Sequence, residues 1–364
     1  MKKIKFSVIG IGRIGTKHCK HIFNNKRAEL YIVCDIIKER ADKSAKEYNI
    51  KSCYNIKDLL KEDIDVINIC TPNNLHVEMS LQALKAGKHV LCEKPMTLNL
   101  MDADRIIKAE KESGKKFFLV KQNRYNPPIK LLKDCVYKKK LGKITLINCN
   151  VIWNRNKQYY EESDWKGSIE KDCGSLFTQC SHFLDLLLWI GGKVKSVFAK
   201  MDNLAHPYIE TEDTGFITIK FENGYIGSLQ YTTTAYNKNM EGTMTVVGTK
   251  GNIKIGGQYL NILEYWDVDG MKKPKIESTE PLLPNDYGSY KGSASNHDKV
   301  IENVISVLLD KKEIAVNSQQ GRDSIEVMQA AYLSALSARE VKLPLKGKDY
   351  KFKINEVSPF WCKK

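Results

Sequence analysis

Gly10-Ile11-Gly12-Arg13-Ile14-Gly15 sets three glycines at the spacing that lets a backbone wrap a pyrophosphate. The first permits a tight turn, the second a close approach to phosphate, and the third close packing of helix on strand. A helix starting there offers unpaired N–H groups and a partial positive charge. Asp35 follows Gly15 by twenty positions, where a carboxylate accepts hydrogen bonds from ribose hydroxyls. Ile36 and Ile37 come next, with no Arg to neutralise a 2′-phosphate, so the pattern favours NAD over NADP. Thr71, Glu93-Lys94 and Gln122 each end an apolar run. His182 is alone in an apolar helical pattern; a neutral imidazole there can take up a proton near pH 7. The plainer alternatives are a core histidine at 182 and a surface lysine ahead of Pro95.

The elements around these residues alternate. Apolar runs at Ile4–Ile9, Leu30–Cys34, Asp65–Cys70, His89–Cys92 and Lys116–Lys121 are separated by helical patterns at Thr16–Asn24, Lys38–Tyr48, Val77–Lys85 and Asn99–Glu112. Strands alternating with helices predict a doubly wound parallel sheet, an α/β Rossmann domain over residues 1–121. Gly10, Asp35, Thr71, Glu93-Lys94 and Gln122 then fall at the carboxyl ends of strands, where such sheets gather ligands.

From residue 122 to 364 the pattern changes to a substrate-binding and oligomerisation domain. Pro127-Pro128 opens a helix to about Lys140, Lys143–Trp153 reads as a strand, and an aromatic loop holds Trp153, Tyr159, Tyr160 and Trp165. Ser175–Ile190 reads as one apolar helix. Period-2 alternation at Ile217, Ile219 and Phe221, with a turn at Asn223-Gly224, predicts an α+β domain on an open, mainly antiparallel sheet. Asp267–Ser293 is Gly- and Pro-rich and gives no clear pattern. Helices at His297–Leu309 and Ser318–Arg339 close the chain and can pack back on the first domain.

Composition removes several function classes. The formal net charge is +15, from 58 basic residues of which only eight are Arg, and no basic block exceeds Lys138-Lys139-Lys140. Nucleic-acid binding needs a clustered stripe, so a solvated Lys-rich surface that attracts anionic small molecules is the better reading. The ten cysteines are scattered from Cys19 to Cys362 without a C-x-x-C pair, which predicts reduced thiols and no metal site. No run of eighteen apolar residues and no leader pattern occur, so a soluble, cytoplasmic protein with no membrane partner is expected.

Together, the glycine turn, Thr71-Pro72-Asn73 with His76, Glu93-Lys94-Pro95 and His182-Phe183-Leu184-Asp185 resemble the Gfo/Idh/MocA oxidoreductases, over essentially the whole chain to Val341-Lys342-Leu343-Pro344. Lys121-Gln122-Asn123-Arg124-Tyr125-Asn126, Trp165-Lys166-Gly167, Gln179-Cys180-Ser181-His182 and Asn237-Lys238-Asn239-Met240-Glu241-Gly242 resemble the subgroup of UDP-N-acetylglucosaminuronate 3-dehydrogenases. Thr178 stands where many members carry Asp, and the subgroup shares that departure.

The resemblance implies oxidation of the 3-hydroxyl of a UDP-sugar acid by NAD, in surface-polysaccharide sugar biosynthesis. Lys94 would bind the reacting oxygen and His182 would take its proton. Gly10, Gly12, Arg13, Ile14, Asp35, Ile36, Thr71, Asn73, His76, Glu93, Lys94 and Gln122 would hold the cofactor, with His76 packed against its nicotinamide half. Lys94, Asn123, Arg124, Arg155, Tyr160, Gln179, His182 and Lys238 would hold the substrate. Asp185 would either orient His182 or serve as a structural acid. The resemblance further implies a homo-oligomer through the second domain's sheet, and reoxidation of bound NADH by 2-oxoglutarate. A related sugar or inositol dehydrogenase and a non-catalytic NAD-dependent regulator are the alternatives.

Overall fold

The computed structural model describes residues 3–276, 284–286, 288, 290–356 and 361. The chain forms two units, Met1–Lys121 with His297–Ile325, and Gln122–Asn296 with Glu326–Lys364.

In the first unit, strands β1 (Ile4–Ile9), β2 (Ala28–Cys34), β3 (Lys51–Cys53), β4 (Val66–Ile69), β5 (His89–Cys92) and β6 (Phe117–Leu119) form one sheet in the order β3-β2-β1-β4-β5-β6. Every pair in it is parallel. Parallel strands need crossovers, supplied here by α1 (Arg13–Asn24), α2 (Lys38–Tyr48), α3 (Ile56–Leu59), α4 (His76–Lys85) and α5 (Leu100–Ser113). The strands read as near-continuous apolar runs because helices cover their faces. Ile9, Ile32, Ile67, Ile69, Val90 and Phe117 pack with Ala83, Leu84, Ala103 and Ile106 in one core. Each such large side chain contributes about 1.5–3 kcal/mol on burial. Helix α5 begins where Asn99 accepts the Asp102 N–H at 2.9 Å, and it ends at Gly114 in left-handed backbone.

The second unit is built on an eight-stranded sheet. Its strands are β7 (Ile144–Ile152), β8 (Val194–Asp202), β9 (Thr214–Phe221), β10 (Ile226–Thr232), β11 (Glu241–Gly248), β12 (Gly251–Gly256), β13 (Ile262–Val268) and, past the short pair β14 (Pro284–Asp286) and β15 (Lys291–Ala294), β16 (Val341–Lys342). The order is β13-β12-β11-β7-β10-β9-β8-β16. All neighbours are antiparallel except β7 and β10. Ile217, Ile219 and Phe221 alternate inward on β9, while Phe216 on the same strand faces outward and is exposed. Helices α6 (Pro127–Tyr137), α7 (Lys157–Glu161), α8 (Ser175–Thr178) and α9 (Ser181–Gly191) belong to this unit.

One expectation about the elements needs correction. The stretch expected as one helix from Ser175 to Ile190 divides after Thr178, where the Cys180 N–H reaches back to Ser175 O at 3.0 Å and closes α8 with a wide turn. No Gly or Pro marks that break. Of the closing helices, α10 (His297–Asp310) lies wholly in the first unit, and α11 (Ser318–Ser337) carries the chain from the first unit into the second, before α12 (Gly347–Tyr350). Val316 packs in the first unit's core, and its carbonyl accepts the Leu119 N–H at 3.2 Å. The nine described cysteines are free thiols, and Cys362 lies outside the described residues. No described helix is long and apolar enough to cross a membrane.

Candidate active site

The glycine turn joins β1 to α1, and steric room explains its spacing. A Cβ on Gly10, whose φ is +90°, would come within 2.7 Å of the Cys70 carbonyl, and one on Gly15 would collide with the Gly10 carbonyl. At Gly12, the residue ahead of α1, a Cβ would meet nothing within 4 Å, so that backbone is open to a ligand. Asp35, at the end of β2, braces the turn: Oδ2 accepts the Ile11 N–H at 2.6 Å and Oδ1 the Ile37 N–H at 2.8 Å. The turn, the helix start and the acid together fit a dinucleotide. Ile36 is exposed beside them, and Arg13 and Ile14 open α1.

Lys94 follows β5, partly exposed, and its neighbours on the chain are tied down. The Lys94 N–H donates to Glu93 Oε2 at 3.1 Å. Glu93 Oε1 lies 2.9 Å from His18 Nε2 and 3.7 Å from His297 Nε2. Burial works to raise the Glu93 pKa, but the His18 hydrogen bond and the fields of His18, His297 and Lys94 outweigh it and hold the carboxyl at about 2. The Glu93 carboxylate, expected to face the cofactor, is therefore turned into the fold. His76 is likewise buried. Its Nδ1 contacts the Pro95 carbonyl at 2.7 Å and its Nε2 the Thr71 carbonyl at 3.0 Å. Two carbonyl acceptors would suit an imidazolium, whereas burial lowers the His76 pKa. The neutral ring is the better description, with its proton on the shorter Pro95 contact. His76 thus holds backbone, in place of the expected packing against nicotinamide. Asn73 is buried in the 3-10 turn Asn73–Leu75 next to Thr71.

In the second unit, Gln122, Asn123 and Arg124 are buried on a 3-10 turn. Gln122 Nε2 donates to Ser293 Oγ at 2.9 Å and lies 3.4 Å from His182 Nε2. With the amide donating, that ring nitrogen is the acceptor, the form that takes a proton. His182 is in the first turn of α9, among Phe183, Leu184, Leu186 and Leu187. Both amide atoms of Asn123 are buried without a hydrogen-bond partner among the described residues. Such groups mark an unmet ligand or water. Arg124 departs from expectation: its Nε and Nη2 each donate at 2.8 Å to the two oxygens of Asp185. That fork is committed to a buried ion pair, and Asp185 serves Arg124 in place of the His182 ring.

Arg155 is the opposite case. Its side chain is 1% exposed. It donates to Gln179 Oε1 at 2.8 Å, the Asn154 carbonyl at 2.6 Å and Asn239 Oδ1 at 3.2 Å. The guanidinium lies 4.9, 5.4 and 4.8 Å from the ring centres of Trp153, Tyr159 and Tyr290. No carboxylate pairs with it among the described residues. Gln179 is fixed from its other end by donating to Tyr159 Oη at 2.7 Å. Tyr160 is packed edge-on against Tyr159 and lies 3.4 Å from Thr233 Oγ1. Lys238 is exposed, next to the Asn239 that meets Arg155.

Residues 4–121 match the model of an oxidoreductase family with an NAD-binding Rossmann fold, and residues 133–343 match that family's C-terminal alpha/beta domain. The chain belongs to the Gfo/Idh/MocA oxidoreductase family. It is an NAD-dependent enzyme acting on a CH–OH group, as the family's dehydrogenases are. A WlbA dehydrogenase from Chromobacterium violaceum, crystallised with NADH and UDP-GlcNAcA, is 34% identical with a TM-score of 0.85, covering 95% of this chain and 98% of its own. The WlbA dehydrogenase from Bordetella pertussis, also crystallised with NADH and UDP-GlcNAcA, is 32% identical at a TM-score of 0.84, covering 95% and 100%. A myo-inositol 2-dehydrogenase from Thermotoga maritima is 29% identical over 259 residues, 69% of this chain and 74% of that one.

Several residues around the family's motifs escaped the sequence reading. Ser293 anchors Gln122, Asn239 orders Arg155, and His18 with His297 grip Glu93. Thr178, at the position where Asp is common, donates to Asp172, which also accepts the Gly167 N–H. His18 stands only three places after Gly15, and a histidine so near the glycine turn was the one local signal available.

Proposed function

We propose that this enzyme oxidises the 3-hydroxyl of UDP-N-acetylglucosaminuronate to the 3-keto sugar nucleotide, in a route to surface-polysaccharide sugars. The observation that carries the reading is Arg155, a wholly buried guanidinium whose hydrogen-bond partners are all neutral. A buried charge without a counter-ion is costly, and an anionic ligand offsets that cost. Lys166, on the same aromatic cluster, already has its acid in Glu162 at 3.1 Å. The two WlbA enzymes crystallised with a UDP-sugar acid add support, at 34% and 32% identity over 95% of this chain.

A bound NAD would be held by the glycine turn and Asp35 and would supply the acceptor for the hydride from carbon 3. Lys94 polarises the reacting oxygen, and His182 takes the hydroxyl proton on Nε2, steered by Gln122. Asn123, Gln179, Tyr160 and Lys238 complete the substrate contacts, while Arg124 acts through Asp185 as scaffold. The outward apolar side chains Phe198, Phe216 and Ile226 on the second sheet suit a homo-oligomer contact. Reoxidation of NADH by 2-oxoglutarate would let the cofactor turn over in place. The test is steady-state NADH formation with UDP-N-acetylglucosaminuronate, UDP-N-acetylglucosamine, free inositol and glucose. Fast turnover of the acid alone is expected; activity only on free polyols would place the substrate elsewhere in the family.

A further inference from the structure

We propose that His18, Glu93 and His297 form a positioning clamp that fixes Lys94, and that they link the helix at the glycine turn to the residue carrying the reacting cation. The proposal rests on the reading of Lys94 given above. All the groups lie in the first unit.

Glu93 is the centre of the clamp. Its backbone N–H continues the sheet by donating to the Ile69 carbonyl at 2.9 Å. One carboxylate oxygen takes the Lys94 N–H at 3.1 Å, and the other meets His18 at 2.9 Å with His297 at 3.7 Å. On the far side of Lys94, His76 holds the Pro95 carbonyl at 2.7 Å. Buried side chains therefore secure the backbone on both sides of Lys94. His18 is on α1, the helix that begins at the glycine turn, and His297 opens α10. The two imidazoles meet edge-on at 5.1 Å, and His21 stacks on His297 at 6.3 Å. A shift of α1 is thus transmitted to Glu93 through a single 2.9 Å bond. Positioning of this kind matters because a misplacement of about 1 Å costs on the order of 100-fold in rate.

A histidine–glutamate–histidine cluster whose ligand atoms lie within 4.8 Å of one another also has the composition of a metal site. Geometry favours direct bonding. Tetrahedral ligands at 2.0–2.1 Å from zinc stand roughly 3.3 Å apart, whereas His18 and Glu93 are at hydrogen-bond length, 2.9 Å.

The experiment compares His18→Leu and His297→Leu with His18→Gln and His297→Gln, which keep an N–H donor for Glu93. For each variant kcat, KM, the NAD dissociation constant, melting temperature, bound metal and the rate of Lys94 acetylation by acetic anhydride are measured. The acetylation is read by mass spectrometry on the substrate-free protein. The Leu variants are expected to lose about tenfold or more in kcat, with KM and NAD affinity within about threefold, and to shift Lys94 acetylation while exposed lysines elsewhere react as before. The Gln variants should recover most of both losses, and their folding keeps the test alive if the Leu variants do not fold. A lower melting temperature with unchanged kcat and unchanged Lys94 acetylation would overturn the clamp, as would stoichiometric zinc lost on His18→Gln. Absence of sugar-nucleotide turnover in the unaltered enzyme would sink the proposed function instead, and Lys94 acetylation alone would then decide the clamp.

Discussion

Each unit buries a glutamate, and the two carboxyls go opposite ways. Glu93 in the first unit is held at about 2 because, against the cost of burial, His18 and the fields of His297 and Lys94 favour its charge. Glu212 in the second unit is pushed up to about 7 by burial, although the Leu176 N–H and the Tyr332 and Tyr231 hydroxyls donate to its Oε1 at 2.9, 2.8 and 3.0 Å. Its Oε2 has no hydrogen-bond partner among the described residues and faces Gly174, where no side chain would fit. Neutral donors steady a buried carboxyl without restoring its ordinary acidity, whereas imidazoles and a nearby cation do both. The charged one stands beside the proposed chemistry, and the one that keeps its proton up to about 7 ties α8 to the tyrosines.

The sharpest way to break this contrast is by turnover. Lys94→Ala and His182→Asn should each lower kcat by about 100-fold or more, the range of general acid–base effects, with NAD still bound. The double variant should fall well short of the product of the two losses, since groups acting together are not additive. Glu212→Gln, in the same steady-state assay, should stay within about threefold of the unaltered enzyme. A large loss there would give Glu212 a role in the chemistry and end the comparison.

Stability against pH comes next. A carboxyl lowered by folding stabilises above its unfolded pKa, and the gain is lost on acidification. For Glu93 the window runs from about 4.5 down to about 2. His297, held well below 6.5 by burial and by the His18 field, resists charging, so it too removes stability as pH falls below 6.5. Glu212 has the reverse sign: its proton is kept in the fold up to about 7, so stability declines as pH rises from about 4.5 to 7. Each glutamate window is worth on the order of 3 kcal/mol. Urea unfolding as a function of pH should therefore show Glu212→Gln flattening the decline between pH 5 and 7, and Glu93→Gln flattening the acid limb. Unchanged profiles would remove the distinction.

Arg155 extends the contrast to cations. UDP-N-acetylglucosaminuronate should exceed UDP-N-acetylglucosamine by about 100-fold in kcat/KM, the loss expected when a buried cation is left without its anion. Arg155→Met should narrow that gap; equal losses on both sugars would make Arg155 a packing residue. The smallest effect concerns Asp35. Calorimetry should give NAD at least a tenfold advantage over NADP, about 1.4 kcal/mol, because a 2′-phosphate would face the carboxylate that braces the glycine turn.

What was legible in the sequence was local. The glycine spacing, the acid twenty places on and the apolar runs defined the first sheet, because each strand and its crossover lie within a few tens of residues. Asn223-Gly224 likewise marked the β9–β10 hairpin. Long-range partners were not legible. His18 and Glu93 are 75 positions apart, and nothing in either neighbourhood announces the other. Arg124 and Asp185 are separated by 61 positions, so Arg124 read singly looked available for ligand, and Asp185 for the His182 ring or the scaffold. Trp153 and Tyr159 stood out as an aromatic loop, but Tyr290, the third ring on Arg155, falls in the stretch that gave no pattern. The break between α8 and α9 was invisible because the chain turns there without a helix-breaking residue.

The return of His297–Ile325 to the first unit has a consequence for how the protein is made. Residues through Lys121 leave the ribosome long before His297 does. At about 5–20 residues per second, the interval is roughly nine to thirty-five seconds. Throughout it the nascent sheet lacks Val316 against Leu119, and Glu93 has His18 but not His297. The cofactor turn is therefore synthesised early and finished late, so a pause between codons 121 and 297 would prolong the exposure of an incomplete apolar core to chaperones and proteases.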